Sequence, residues 1–251
     1  GPYVNFTAEV VTFDGYVDDV ILHYTLDNIT WNEANMLPDG LEGSNYSSVL
    51  TFDQSGVIIN YYITASNNLE QSSRYPQNEN QNVMFVYGDL EDIVNDTFET
   101  TSSWYVESDA TSGLWVLDVP NQTFENGYPA QTGEDTTIDG ESCWVTGNTP
   151  GENNPGQDDV DGGTTTLFSD IYNLSTFSDV LLTYNRWYTN NLGNSPGTDI
   201  WTVQVTSDGI TWNDLENTNL SNNSWVEKRF VLSDFIDLTS TVQFRFSASD
   251  L

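Results

Sequence analysis

The chain of 251 residues has a single cysteine, Cys143, so no intrachain disulfide can form and stability has to come from packed cores and from any bound metal. Cationic side chains are equally scarce: five Lys plus Arg stand against 38 Asp plus Glu, a net charge of −33. A surface this negative repels phosphate backbones and anionic headgroups, which argues against nucleic acid and membrane surfaces as partners. No apolar run approaches the roughly 18 residues that span a bilayer, and no basic-then-apolar leader precedes the first strand, so membrane insertion is not expected. His23 is the one histidine and sits in an alternating strand beside Tyr24. No Ser-His-Asp or Cys-His set, His-rich zinc motif or glycine-rich phosphate loop can be assembled around it, and no catalytic role is expected. The setting Cys143-Trp144-Val145-Thr146 reads as a buried strand with an inert thiol.

What the chain does have is aromatic bulk, 13% with eight Trp, enough to fill real cores despite the low charged fraction. Helical periodicity is nearly absent. Short alternating runs bounded by Asn, Asp and Gly recur throughout, which is the pattern of antiparallel sandwiches. The expected fold is therefore all-β, with strands over Val4–Val11, Asp19–Leu26, Met36–Leu37, Tyr46–Phe52, Val57–Ser66 and Val83–Val86. After a break in alternation at residues 87–95 come Trp115–Val116, Cys143–Thr146, Thr164–Phe168, Val180–Tyr188, Asp199–Thr206, Ser224–Leu232 and Val242–Ala248. That break places a domain boundary at about residue 90, giving domains over 1–90 and 91–251. The stretch from about Pro120 to Asp161 is too long for a plain connection, and loops of that length generally carry a function or are ordered by a metal.

An internal echo joins the two halves: Thr25-Leu26-Asp27-Asn28-Ile29-Thr30-Trp31 and Thr206-Ser207-Asp208-Gly209-Ile210-Thr211-Trp212. Asp-Asn and Asp-Gly suit the positive φ of a tight hairpin, with Ile and Trp opening the return strand. A propeller would need such a unit once per blade, and two copies do not make one. Asn-x-Thr/Ser triplets at Asn5, Asn28, Asn45, Asn95, Asn121 and Asn173 are expected by chance in a chain so rich in these residues.

The acidic stretch Asp158-Asp159-Val160-Asp161-Gly162-Gly163 is the main candidate for chemistry. In extended geometry Asp159 and Asp161 point to one side and can reach one ion. Calcium takes six to eight hard oxygen ligands, and a glycine-permitted turn with alternate Asp supplies several. The alternative is an acidic turn whose carboxylates cap local amides.

Phe98-Glu99, Trp104, Trp115, Cys143-Trp144-Val145-Thr146-Gly147, Asp159-Val160-Asp161-Gly162-Gly163-Thr164-Thr165 and Leu167-Phe168-Ser169 together resemble a jelly-roll module found towards the C-termini of secreted bacterial proteins, often metallopeptidases. Their order is also similar to that of the MAM domain. The resemblance runs from about residue 95 to the chain end. It implies a structural calcium ion held by Glu99, Asp159 and Asp161, with Asp96 a further candidate. It also implies a final strand with an Asp-Asp-hydrophobic ending that adds another ligand, and that strand is missing from this sequence. The first half, through Val20–Asp27, Trp31 and Ile58–Ser66, resembles fibronectin type III-like and immunoglobulin-like spacers.

The resulting expectation is an immunoglobulin-like sandwich followed by a jelly-roll, MAM-like sandwich short of its last strand. It would be a non-catalytic accessory region of a larger exported bacterial protein, at the cell surface or outside the cell, with the adjacent domains of that polypeptide as partners. Two alternatives remain. Trp187, Tyr188, Trp201 and Trp212, near the polar loop 190–197, have the side chains to stack on sugar rings in a carbohydrate-binding module. Tandem β domains with an open edge at Leu251 would also suit an adhesin or filament subunit that meets a glycan or a cell-surface protein.

Overall fold

The computed structural model describes residues 3–40, 43–52, 56–79, 81–100, 102–149, 156, 158–193 and 195–250. Among them the protein is all-β, a set of antiparallel sheets with one 3-10 turn at Leu232–Asp234. The chain forms two compact units, Gly1–Val94 and Asn95–Leu251.

The first unit contains β1 (Tyr3–Glu9), β2 (Val17–Thr25), β3 (Asn32–Asn35), β4 (Leu37–Pro38), β5 (Asn45–Thr51), β6 (Val57–Asn67), β7 (Ser72–Tyr75) and β8 (Val83–Tyr87). One sheet has the order β1-β5-β4; the other runs β3-β2-β6-β7, with β8 also on β6. Alternation explains the layering. Val20 and Leu22 of β2, and Ile59 and Ile63 of β6, turn inward to meet Phe6, Met36 and Phe52, while Ile21, His23, Tyr62 and Thr64 take the opposite face. The short strands Asn32–Asn35 and Ser72–Tyr75 carry almost no apolar alternation, and both are strands because they pair with β2 and β6.

The second unit contains β9 (Tyr105–Ser108), β10 (Trp115–Asp118), β11 (Thr123–Glu125), β12 (Tyr128–Gln131), β13 (Cys143–Thr146), β14 (Gly163–Phe168), β15 (Leu181–Tyr188), β16 (Ile200–Thr206), β17 (Asn213–Thr218), β18 (Asn222–Val231) and β19 (Gln243–Asp250). A five-stranded sheet of order β17-β16-β19-β14-β9 packs its inward residues, among them Leu167, Val203, Val205, Phe244 and Phe246, against Leu182, Tyr184 and Phe230 of the β15-β18 pair. The stretch 120–161, expected as one long loop around Cys143–Thr146, also holds the β11-β12 hairpin. That hairpin is tied down over β15 and β18: Trp187 Nε1 donates to Ala130 O at 2.9 Å and Asn223 Nδ2 to Pro129 O at 3.0 Å. Because of the non-sequential strand order, the start of β14, the end of β19 and the start of β16 lie side by side, with Gly163 opposite Asp250 and Ile200 opposite Ser249.

The echoed segments fold alike. Each joins two paired strands, β2 to β3 and β16 to β17, and in each one carboxylate oxygen closes the turn. Asp27 Oδ1 accepts Ile29 N at 2.9 Å and Thr30 N at 2.7 Å; Asp208 Oδ1 accepts Ile210 N at 2.8 Å and Thr211 N at 2.7 Å. Thr25 and Thr206, fully buried, donate to those same oxygens at 3.0 Å. The positive φ falls on Asn28 (56°) and Gly209 (72°). The Ile and Trp, however, do not open the return strand. The strands restart at Asn32 and Asn213, leaving Ile29 84% and Ile210 83% exposed, because each Asp closes a wider six-residue loop.

Candidate functional site

The turn 158–163 is fixed by its neighbours. Thr111 N and Oγ1 donate to Asp161 O at 2.8 and 2.9 Å, Ser112 Oγ donates to Asp159 O at 2.9 Å, and a Cβ on Gly113 or Gly147 would run into its backbone. Asp158 is consumed locally, since its Oδ2 accepts Asn148 N at 2.9 Å and Thr149 Oγ1 at 2.8 Å. Asp161 Oδ2 accepts Ser112 Oγ at 3.3 Å, and the carboxylates of the turn lie within electrostatic reach of two more from the neighbouring strand ends, Asp199 before β16 and Asp250 closing β19. Partial burial, followed by the charges of Asp161, Asp250 and Asp199, holds the Asp159 carboxyl above its usual range. Asp199 is raised in the same way, by burial first and then by Asp250 and Asp161. One oxygen of Asp250 accepts Gly162 N at 2.8 Å, tying the turn to β19. The oxygens are hard donors contributed by three segments, and among the described residues no Lys or Arg forms an ion pair with any of the four. As placed they are not gathered into a closed centre: among the described residues, no set of three or more His, Cys, Asp and Glu is arranged to hold an ion.

The other two expected ligands lie elsewhere. Glu99 rests on the turn before β13, where its oxygens accept Glu141 N at 3.0 Å and Ser142 N at 3.1 Å. It is absent from the charges acting on Asp159, and its local role is to satisfy backbone donors. Asp96 Oδ1 accepts Phe98 N at 3.2 Å, closing the turn in which Phe98 takes φ of 60°. The partners that do face Asp159 and Asp161 are Asp199 and Asp250, which the sequence reading did not single out. Both sit at the ends of visible strands, so the pairing of β14, β16 and β19 was the signal needed to find them.

The four aromatic candidates do not form a common platform. Trp201 is 6% exposed and faces the core, its Nε1 donating to Glu216 Oε2 at 3.0 Å, so it is a core residue and not a surface one. Tyr188 bonds Asp199 O at 3.1 Å through its hydroxyl, and burial pushes that phenol up to about 12. Trp187 packs edge-on to Trp225 beneath the β11-β12 hairpin. Trp212 lies under Arg245, whose Cζ is 4.3 Å from the ring centroid, with the Phe168 edge alongside.

Trp201 leads to a polar hub inside the second sandwich. The buried Glu216 of β17 accepts Tyr184 Oη at 2.6 Å, Arg186 Nη1 at 3.0 Å and Lys228 Nζ at 2.9 Å, besides the indole. Burial alone would raise its pKa, but the hydrogen bonds from Tyr184 and Lys228 and the charges of Arg186 and Lys228 outweigh it and hold the carboxylate ionised. Two of the chain's five Lys and Arg are thus spent on one internal anion.

His23 stacks on Tyr62 at 4.3 Å, with Nδ1 3.3 Å from Glu33 Oε1 and Nε2 2.9 Å from Thr64 Oγ1. Desolvation lowers its pKa, opposed by Glu33 and reinforced by Arg74. The Cys143 thiol is pushed up to about 12 by burial and then by Asp135 and Glu99, so at neutral pH it is not a nucleophile.

No family model matches the chain, and the comparison with curated proteins found no match. Among solved structures, one of carbohydrate-binding modules from the β-sandwich superfamily is similar at a TM-score of 0.38 and 12% identity, over 99% of this chain and 91% of that one. A likeness so distant leaves fold and ligand to be argued from the geometry.

Proposed function

We propose that this chain is a non-catalytic accessory region of a larger exported protein, and that a divalent cation, calcium by its preference for hard oxygens, tightens the second unit at Asp159, Asp161, Asp199 and Asp250. The observation that carries the reading is the convergence of four carboxylates from three segments, with Asp250 tied to the turn through Gly162 N at 2.8 Å; Asp159 and Asp199 are each held above the usual range by burial first and then by neighbouring charges of this set. Repulsion among these carboxylates is a cost to the fold that a cation would remove. The anchored turn and the side-by-side ends of β14, β19 and β16 favour the cation over a plain acidic turn, whose carboxylates would all come from one segment. The non-catalytic part of the reading rests on what the two groups do: His23 is engaged with Tyr62, Glu33 and Thr64, and burial pushes the Cys143 thiol up to about 12.

The test is calorimetric melting in calcium chloride against EGTA, with elemental analysis of the dialysed protein. At a cation concentration about 100 times Kd, mass action stabilises the fold by roughly 2.7 kcal/mol, some 5–10 °C for a unit of this size. Identical melts in the two buffers would remove the cation from the proposal.

A further inference from the structure

We propose that the outer face of the sheet β3-β2-β6-β7 in the first unit, centred on Trp31, binds a neutral saccharide. This goes beyond the accessory role and does not depend on the cation. The two echoed hairpins set up a direct comparison, since they deliver a Trp to the same place in each turn. In the second unit Trp212 is covered by Arg245 and flanked by Phe168. In the first unit the arginine has gone to a different ring: Arg74 Cζ sits 4.1 Å over Tyr62, and Trp31 remains 39% exposed, tilted 53° to Tyr62 at 5.1 Å.

The surface around Trp31 is rigid and polar-edged. Tyr62 of β6 meets His23 from β2 and Arg74 from β7, the strands on its two sides. Arg74 is locked by Pro76 O at 2.6 Å, Asn78 O at 2.8 Å and Asn82 Oδ1 at 2.9 Å, and His23 by Glu33 and Thr64. A platform already held by such bonds loses little side-chain freedom on binding. The Glu33 side chain, 68% exposed, offers carboxylate oxygens at the rim.

Charge selects the occupant. A chain of net charge −33 repels polyanions. The cation of Arg74 lies over Tyr62 and the exposed carboxylate of Glu33 lies beyond His23, so the face around Trp31 carries one charge of each sign and selects neither kind of ion. A flat, neutral ring with an apolar C–H face for Trp31 and hydroxyls for the Glu33 edge meets both conditions, and a hexose polymer is that ligand.

Affinity electrophoresis of the whole chain through gels containing soluble β-glucan, galactomannan, xylan or polygalacturonate, with and without EGTA, tests this. Retardation by at least one neutral polymer, equal in both buffers, is expected, and Trp31→Ala should weaken it roughly tenfold, the loss of one aromatic stack. Trp31→Phe should retain part of it, and both variants should melt near the parent temperature because Trp31 is peripheral to the core. No retardation by any neutral polymer, preference for polygalacturonate, or retardation unaffected by Trp31→Ala would overturn the proposal, whatever the outcome of the calcium melts.

Discussion

Neutralising Glu216 should be the most damaging single charge change in the second unit. Glu216→Gln keeps the shape of the side chain but removes its charge: with the amide oxygen held toward Arg186 Nη1 and Lys228 Nζ, now 3.0 and 2.9 Å from Oε1, the NH2 group is turned on the Trp201 indole N–H, a second donor. Arg186 is almost fully buried, and among the described residues its Nε has no hydrogen-bond partner and Glu216 is the anion it pairs with. Removing one partner of a buried pair costs roughly 3–5 kcal/mol, because the remaining charge is stranded. Lys228 is partly exposed and water screens its share, so the lower half of that range applies. For a unit of this size each kcal/mol moves the melting temperature by about 2–4 °C, so a drop of roughly 10 °C is expected by calorimetry. Replacing Glu216, Arg186 and Lys228 together by Met should recover most of the loss, since apolar substitutes of similar volume are commonly neutral. A shift below about 2 °C for Glu216→Gln would refute the assignment of a buried, charge-dependent hub.

Three further outcomes follow from the carboxylates and the thiol. Asp199→Asn should raise the melting temperature in EGTA at pH 7 and reduce the gain from calcium. The folded-state pKa of Asp199 lies above the unfolded value near 3.8, so its contribution favours the fold at low pH and is lost as pH rises through the raised value; the mutant, measured by melts from pH 4 to 7, should lack that decline. Asp208 has the opposite sign. The N–H groups of Thr211 and then Ile210 pull it down to about 2 from 3.8, so its stabilisation is present above the unfolded value and disappears as pH falls through the folded one, and the stability gap between the parent and Asp208→Ala should close on acid titration. Cys143 should react with iodoacetamide at pH 7.5 only under denaturant; labelling of the native chain at the rate of a free thiol would contradict its elevated pKa.

Some of this architecture was legible in the chain because it is written locally. The turn at Asp208-Gly209 and its counterpart at Asp27-Asn28 follow from a carboxylate two residues after a Thr and a residue that tolerates positive φ, all within a few positions. Strands with apolar alternation, such as β6, were equally visible. The strands Asn32-Glu33-Ala34-Asn35 and Asn213–Thr218 were not, since their polar composition becomes extended only when a central strand offers its hydrogen bonds. The same limit governs the site. Asp159 and Asp161 are neighbours in sequence and stay together, whereas Asp199 and Asp250 join them only through the order β14-β19-β16. Glu99 accepts two backbone N–H groups on the turn before β13, a use that side-chain spacing does not announce. The hub of Glu216 draws on Tyr184, Arg186, Trp201 and Lys228, from three further strands, and no spacing rule links them.

The paired hairpins also bear on how the molecule reaches its folded state. Each is closed by bonds spanning two or three residues, so it can form on the microsecond scale of an isolated hairpin, well before the distant pairing of β14 with β19. One lies in each unit. Each half of the chain therefore carries its own local starting point, and a polypeptide emerging slowly from synthesis can register β2 against β3 before any residue of the second unit exists. Exchanging the Asp27–Trp31 and Asp208–Trp212 segments between the units should accordingly leave both able to fold.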